Sequence, residues 1–394
     1  MRDFIVPRDL EFLVIIMTMK YYSWFSFLGL FIVSFFLQQC NLANKLTFET
    51  ANTEISYYSI DDFAIIEKYD THVHLNVDDT TFIKQAKADN FRLLTVNVNP
   101  AYYPPIEEQR RIAMRLVKAY PNQLAYATTF SLDNWDSDGW QQKSLDYLKE
   151  SFDKGAIAVK VWKNVGMELK DKNGKFVMID NPKFDPLFDY LAKKHIPLIG
   201  HLGEPKNAWL PLEKMTIKGN QNYFSKHPEY HMYLHPEYPS YDDQIQARDH
   251  MLEKHPDLTF IGAHLGSLEW SVEELAKRLD KFPNMAVDMA ARLSGLQYQA
   301  VTNWKGVRDF FIKYQDRLIY ATDLEAGEPI NAPELEKRIH DSWMRDWNFF
   351  VSDAMMHSTG FDAEFKGLKL SKAIVDKIYR RNAQKWFPGI NNNK

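Results

Sequence analysis

Apolar and polar residues follow two different rhythms along this chain from Asp61 onward. Short, nearly continuous apolar runs are typical of buried parallel strands, whereas apolar positions three or four apart are typical of helices packed by one face. The predicted strands cover residues 64–69, 92–98, 124–130, 157–162, 197–201, 258–263, 285–289 and 318–322. The predicted helices between them include residues 109–119, 143–152, 184–194, 241–254 and 272–281.

Eight predicted strands that alternate with helices indicate an α/β fold, and we interpret residues 61–390 as one (β/α)8 TIM barrel domain. A doubly wound open sheet is the alternative, but such a sheet usually has fewer strands and binds ligands where its strand order switches. In a barrel, functional side chains collect at the carboxyl ends of the strands. Those ends are therefore where chemistry is expected.

The longest predicted connection, residues 204–241, lies between the fifth and sixth strands. It contains several aromatic residues, among them Trp209, which argues against a disordered segment. Long connections in compact domains are usually functional. We interpret this strand-5 to strand-6 insertion as a lid over the site, with a packed surface insertion or an oligomer contact as the alternatives.

The N-terminal part of the chain carries a different pattern. Residues 24–37 are apolar and uncharged, follow Lys20 and end shortly before Cys40, the only cysteine. This length is typical of a signal-peptide core rather than of a membrane span, which needs about 20 residues. With translation starting at Met17 or Met19, the segment resembles a bacterial lipoprotein signal whose mature protein begins at a lipidated Cys40.

We therefore predict a signal peptide or membrane anchor over residues 1–40 and a tether over residues 41–60. Gln39 is larger than the residue that usually precedes such a cysteine, which leaves an uncleaved membrane anchor as the alternative. The expected location is a bacterial cell envelope, reached by export, with membrane attachment through lipid on Cys40 or through the anchor. With Cys40 modified, no disulfide can form within the chain.

The composition limits the partners that the protein is expected to bind. The 394 residues are 45% hydrophobic and carry a formal net charge of -4, with Lys and Arg dispersed along the chain. Nucleic-acid binding usually needs a basic patch or stripe, so we expect a small-molecule substrate and no nucleic acid. The aromatic content of 14% is also compatible with a homodimer.

Polar residues stand at the ends of four predicted strands. Asp-Thr-His-Val-His contains His72 and His74, Gly-His-Leu-Gly contains His201, Gly-Ala-His-Leu-Gly contains His264, and Ala-Thr-Asp ends at Asp323. His72 and His74 share one face because alternate residues of a strand point the same way. Imidazoles and a carboxylate at strand ends can converge on one cation. The alternatives are surface histidines in a loop and, for Asp323, a helix N-cap.

These motifs resemble those of the amidohydrolase superfamily, and specifically its amidohydrolase-related (amidohydrolase 2) family of metal-dependent TIM-barrel enzymes. The resemblance covers roughly residues 69–387, because residues 379–387 also resemble that family's closing helix. It implies a full barrel and nearly the whole mature protein within one catalytic domain.

The resemblance also implies roles for individual residues. His72, His74, His201 and Asp323 would bind one divalent metal ion, most often Zn²⁺, although Mn²⁺ or Fe²⁺ also suit such ligands. His264 would act in catalysis beside the metal, and Asp323 would accept the proton of the attacking water.

The implied activity is hydrolysis of an amide, lactone or ester-like bond of a small molecule by a metal-activated water. Decarboxylation or hydration of a small carboxylic acid is the alternative within the same family. A non-catalytic barrel lipoprotein that binds a ligand is the alternative from another class of protein.

Lys160 lies inside an otherwise apolar predicted strand. In binuclear members of the superfamily, a lysine of the fourth strand is carboxylated and bridges two metals, so a second metal is expected only if Lys160 is carboxylated. Otherwise its stem packs in the barrel and its ammonium reaches a carboxylate or the substrate.

Three further residues are candidate substrate contacts. Lys163 stands just beyond the fourth strand, Trp209 lies in the insertion, and Arg292 follows the seventh strand. Arg292 could clamp a substrate carboxylate with two hydrogen bonds, or it could pair with Asp288 or Glu325.

Overall fold

The computed structural model describes residues 55–100 and 102–391. The signal or anchor segment predicted over residues 1–40, including Cys40, lies outside these residues, and so does the greater part of the predicted tether. The described residues from Ser56 onward group into one unit. In the described part of the chain, no helix is long and apolar enough to cross a membrane.

Parallel strands form the centre of the molecule. In chain order the strands are β1 Lys68–Leu75, β2 Phe91–Val96, β3 Leu124–Thr128, β4 Ala158–Val161, β5 Leu198–Gly200, β6 Phe260–Gly262, β7 Met285–Asp288, β8 Leu318–Ile319, β9 Glu325–Ala326, β10 Met355–His357 and β11 Glu364–Lys366. The main sheet has the order β8-β7-β6-β5-β4-β3-β2-β1-β9, and β10 pairs with β11 in a separate antiparallel hairpin.

The main sheet closes on itself through the segment that joins β8 to β9. β8 pairs with β7 on one side, whereas the residues after it pair with β1. Thr71 donates its N–H to the Tyr320 carbonyl at 3.2 Å, and Asp323 donates its N–H to the His72 carbonyl at 2.8 Å. The predicted (β/α)8 barrel is therefore present, and the doubly wound alternative is wrong.

Helices surround the barrel and complete the alternation with the strands. The longer helices are Thr81–Ala88, Ile106–Ala119, Trp140–Asp153, Asp185–Lys194, Lys218–Lys226, Tyr241–Lys254, Val272–Lys281, Leu293–Lys313 and Ala332–Val351. Short helices and turns are Ile60–Asp62, Asn164–Met167, Pro182–Phe184, Lys206–Trp209, Leu212–Lys214, Pro228–Tyr230, Met232–Leu234, Ala263–Gly266, Lys372–Asp376, Lys377–Arg381 and Asn382–Trp386. The helices predicted over 241–254 and 272–281 have these bounds because Ser240 and Ser271 cap their first turns.

The first strand lies further along the chain than the apolar pattern indicates. The predicted strand 64–69 is wrong, because the chain turns there, Ile65 is 71% exposed, and β1 begins at Lys68. A barrel strand must pair along both edges: Asp70 and Val73 pair with β2 on one side, and His72 and His74 bond to the segment after β8 on the other. The two histidines therefore lie within the strand rather than beyond its end, and every residue of β1 is buried.

Side-chain size differs between the inside and the outside of the barrel. Inside, small buried residues such as Ala127, Ala158, Ala263 and Ala286 contribute to the core. Outside, large side chains such as Trp343 fill the layer between strands and helices. The small interior residues leave room for imidazole rings at the barrel mouth.

The insertion between β5 and β6 is packed rather than extended. Its longest element is the helix Lys218–Lys226, and Phe224, Tyr230 and Met232 are buried. Trp209 packs its ring 5.4 Å from the ring of Tyr241, measured between centroids. The insertion thus has its own apolar contacts, and its role as a lid stays a prediction.

Candidate metal centre

His72 and His74 project from β1 into the barrel, with ring centroids 5.3 Å apart. Each ring is held through its Nδ1 atom. His72 Nδ1 lies 2.9 Å from Asp288 Oδ2, and His74 Nδ1 lies 2.8 Å from the Val96 carbonyl oxygen. Both partners accept hydrogen bonds, so each neutral ring carries its proton on Nδ1 and turns the lone pair of Nε2 toward the barrel axis.

His264 reaches the same place from the turn after β6. The turn places His264 and Leu265 in left-handed backbone conformations, with φ values of 59° for each. It is tight enough that a Cβ atom on Gly262 would lie 2.9 Å from the Cα atom of Gly266. His264 Nδ1 lies 2.8 Å from the Ala290 carbonyl oxygen, so its Nε2 lone pair also faces the cluster.

Asp323 brings the carboxylate to these rings. Its backbone has φ 66°, a left-handed conformation that Asp adopts more readily than most residues. Its Oδ1 atom lies 3.2 Å from His74 Nε2 and 3.5 Å from His72 Nε2. Burial raises the pKa of Asp323, but the attraction of the neighbouring histidines, His264 first among them, outweighs it and holds that pKa well below its usual range.

The potential ligand atoms of His72, His264 and Asp323 all lie within 4.8 Å of one another. His201 adjoins them, with its ring centroid 4.1 Å from that of His264. Among the described residues, the buried Nε2 atom of His201 has no hydrogen-bond partner. The cluster therefore brings together the five residues predicted to form the centre, which are His72, His74, His201, His264 and Asp323.

The electrostatics of the cluster suit a bound cation. Burial lowers the pKa of His72 and His201, and it lowers the pKa of His264 to about 3. The His72 and His264 rings are then neutral, and their Nε2 lone pairs lie close to an ionised carboxylate. In His72, His74 and His264 the opposite ring nitrogen is bonded to an acceptor, as is typical of metal-binding histidines. A divalent metal fits the residues present.

Lys160 lies deeper in the same cluster. It is 1% exposed, and its Nζ atom lies 3.1 Å from His72 Nε2. Burial lowers the pKa of Lys160 to about 8, against the attraction of Asp288 and Asp323. The Lys160 amine therefore lies next to the Nε2 atom that His72 would offer to a metal ion.

Lys163 is buried at the mouth of the barrel and already has protein partners. It forms an ion pair with Glu204, and its Nζ atom lies 3.1 Å from the Tyr223 hydroxyl. It also lies 3.6 Å from the ring centroid of Tyr230. A substrate contact of Lys163 would have to share this ammonium with Glu204.

Arg292 and Trp209 occupy different surroundings. Arg292 donates from Nη1 to the Ala291 carbonyl at 3.2 Å, while its buried Nε atom has no hydrogen-bond partner among the described residues. The predicted alternative partner of Arg292, Asp288, is instead bonded to the His72 ring and to the backbone N–H of His264 at 2.8 Å. Trp209 packs within the insertion.

Asp288 was not predicted to belong to the site. In the structure its carboxylate contacts the His72 ring and the backbone N–H of His264. The available signal was a carboxylate at the end of an otherwise apolar strand. The buried Glu269 and Asn97 were not predicted either. In the described part of the chain, Glu269 Oε2 and Asn97 Nδ2 lack a hydrogen-bond partner. Asn97 directly follows β2, and Glu269 comes after the short helix that follows β6.

Comparison with known proteins agrees with this geometry. The family model described as amidohydrolase matches residues 69–389, so the chain belongs to that family. None of the curated proteins compared matches the chain.

Two solved structures are similar to this chain over most of its length, and the first of them supports the likeness in fold. A TIM-barrel protein of Bordetella bronchiseptica, Bb4693, is 13% identical, with 83% of this chain and 100% of that chain covered and a TM-score of 0.52. The 2,6-dihydroxybenzoate decarboxylase from Rhizobium is 15% identical, with 82% and 98% covered and a TM-score of 0.48.

Proposed function

We propose that this protein is a metal-dependent hydrolase that acts on an amide, lactone or ester-like bond of a small molecule. The observation that supports it most is the convergence of buried imidazole Nε2 atoms on the Asp323 carboxylate. In this proposal His72, His74, His201 and Asp323 hold one divalent ion, most simply Zn²⁺. Mn²⁺ or Fe²⁺ would suit the same nitrogen and oxygen ligands.

A bound divalent ion would polarise the scissile carbonyl and lower the pKa of water. Asp323 would accept the proton of the attacking water, because its carboxylate lies beside the histidines and its side chain is 29% exposed. It would then deliver that proton to the leaving group.

The hydrogen bond of His264 to the backbone limits the role that its ring can take in the reaction. Its Nδ1 proton is bonded to the Ala290 carbonyl, so the neutral ring offers only an accepting lone pair at Nε2. His264 can therefore accept a proton or hold a cation as it stands. It could stabilise an oxyanion only after taking up a proton.

Arg292 supports a substrate that carries a negative charge. Its buried Nε atom has no hydrogen-bond partner among residues 55–100 and 102–391, and a substrate carboxylate could accept a hydrogen bond from it. The rings of Tyr223 and Tyr230 and the Lys163–Glu204 pair form a wall near the mouth, beside which a planar substrate could lie.

The same cationic contact favours a second candidate, decarboxylation or hydration of a small carboxylic acid. The two candidates differ in product, so a panel of activated esters, lactones and amides is compared with CO₂ release and hydration of unsaturated acids. If only the acids are turned over, and Arg292→Gln abolishes that turnover, the protein is a decarboxylase or hydratase and not a hydrolase. A barrel that binds such acids without turning any over would be a ligand-binding protein.

Metal content measured by elemental mass spectrometry is the first test. We expect one metal ion per chain in protein purified without chelator, kept in Lys160→Ala and in the control Asp341→Ala, and lost in Asp323→Ala. Two ions falling to one or none in Lys160→Ala would favour a carboxylated, bridging Lys160 instead. No metal under any loading condition would overturn the metal-dependent mechanism.

We further propose that the protein is exported to the bacterial cell envelope and attached through Cys40 or an uncleaved anchor. The support is the apolar segment 24–37 followed by the single cysteine. Labelling with a radioactive fatty acid in a bacterial host should mark the wild type and not Cys40→Ser. Equal labelling of both, or no labelling and a fully cytoplasmic protein, would contradict this placement.

A further inference from the structure

A second cavity of about 360 Å³ lies on the other side of the chain segment that carries Asp323. Its wall includes Thr322 and Leu324, the two neighbours of Asp323, and residues of the helices Leu293–Lys313 and Ala332–Val351. None of the histidines at the candidate metal centre lines it. Ligand pockets commonly begin at about 300 Å³, so the cavity can hold a small organic molecule.

Polar groups without protein partners face this cavity. Gln297 lines it and is only 5% exposed, yet its amide has no hydrogen bond to any described residue. Arg345 also lines it and forms neither a hydrogen bond nor an ion pair within the described part of the chain. The Gln297 amide and the half-buried Arg345 guanidinium can therefore offer their hydrogen-bonding groups to a ligand in the cavity.

The remaining wall suits an anion with hydroxyl groups. Ser294 and Ser342 add two hydroxyls, each able to donate and accept. Among the described residues that line the cavity, Asp346 is the one carboxylate, and its Oδ2 atom accepts from the Tyr320 hydroxyl at 2.9 Å. Burial raises its pKa to about 6, against the attraction of Arg345. Lys218, at the rim, forms an ion pair with Asp362. Arg345 attracts Asp346 but forms no ion pair with any described residue, so its guanidinium donors can bind an anion in the cavity.

We propose that this cavity is a second ligand site, which takes a small hydroxylated anion with a carboxylate or a phosphate group. Arg345 binds the anionic group, and Gln297, Ser294 and Ser342 bind its hydroxyls. Arg recognises carboxylate and phosphate by the same paired hydrogen bonds, so both sources share this chemistry. The site is independent of the proposed hydrolytic function, although its occupant would contact the segment next to Asp323.

Isothermal titration calorimetry with D-gluconate and with glycerol 3-phosphate tests the proposal on the purified protein. We expect at least one of the two to bind, and the one that binds tells carboxylate from phosphate. Arg345→Gln should weaken that binding at least tenfold. Gln297→Ala should weaken it by a smaller factor. Lys337→Gln is the matched control, since it removes a positive charge from an exposed position of the same helix.

The His72→Ala variant separates this cavity from the metal centre. Binding that persists in His72→Ala and is lost in a folded Arg345→Gln variant, checked by circular dichroism, supports the second site. Binding that is lost in His72→Ala and kept in Arg345→Gln assigns the anion to the metal centre and overturns the proposal. Failure of both probes to bind the wild type overturns it as well.

Discussion

The hydroxyl of Thr322 is the best place to test how the fold positions Asp323. It donates to the buried Asp70 Oδ2 atom at 2.5 Å and accepts from the Leu324 backbone N–H at 3.2 Å. The two bonds span Asp323, whose backbone is left-handed. Asp70 also accepts from the Trp343 indole at 2.9 Å, which ties the end of β8 to an outer helix.

Thr322→Val removes this hydroxyl while nearly keeping the shape of the side chain. Burial raises the pKa of Asp70 to about 7, so above that pH the bond to Asp70 is one to a charged group. Such a bond contributes about 1.5–3 kcal/mol and a neutral one about 0.5–1.5 kcal/mol. We therefore expect a loss of about 2–4.5 kcal/mol in the free energy of unfolding. Because the same bonds hold the turn that presents Asp323, we also expect metal affinity to fall about tenfold, as for other groups that orient metal ligands.

Two measurements decide the outcome. Urea denaturation gives the free energy of unfolding, and competition with a chromogenic chelator gives the metal affinity of the folded variant. Thr322→Ser keeps the hydroxyl and loses only a methyl group, so it should retain most of both quantities. If Thr322→Val unfolds at the wild-type urea concentration and binds metal as tightly, the bridge across Asp323 has no role.

Two further predictions concern buried charges. Asp288→Asn should weaken metal binding about 10–100-fold in the chelator assay, because the Asp288 carboxylate sets the His72 tautomer; a metal affinity equal to the wild type would contradict this role. Burial lowers the pKa of Lys68 to about 7, so the unfolded chain binds more protons between that pH and the ordinary lysine pKa, and stability should rise with pH across this window. The difference in unfolding free energy between the wild type and Lys68→Met should therefore change with pH there, by at most about 1.4 kcal/mol per pH unit, and a constant difference would refute the assignment.

The barrel and the place of its site could be predicted from local patterns. The strands from β2 to β8 lie within or close to the predicted apolar runs because each is buried on both faces, which leaves a nearly continuous apolar sequence. β1 does not follow this rule, since its paired residues include Asp70, His72 and His74, and the apolar run before it forms a turn. The strand that carries the two histidines therefore lacks the continuous apolar run by which the other barrel strands were predicted.

The family, the strand–helix alternation and the five residues at the barrel mouth could be predicted from the chain alone, because they depend on short motifs and on local periodicity. The partners that hold these residues in place depend on how the barrel folds. Asp288 holds His72, Thr322 bridges Asp70 to Leu324, and Gln297 faces a second cavity. Such partners come from distant strands and helices, and nothing in the local sequence states which of them will meet once the barrel closes.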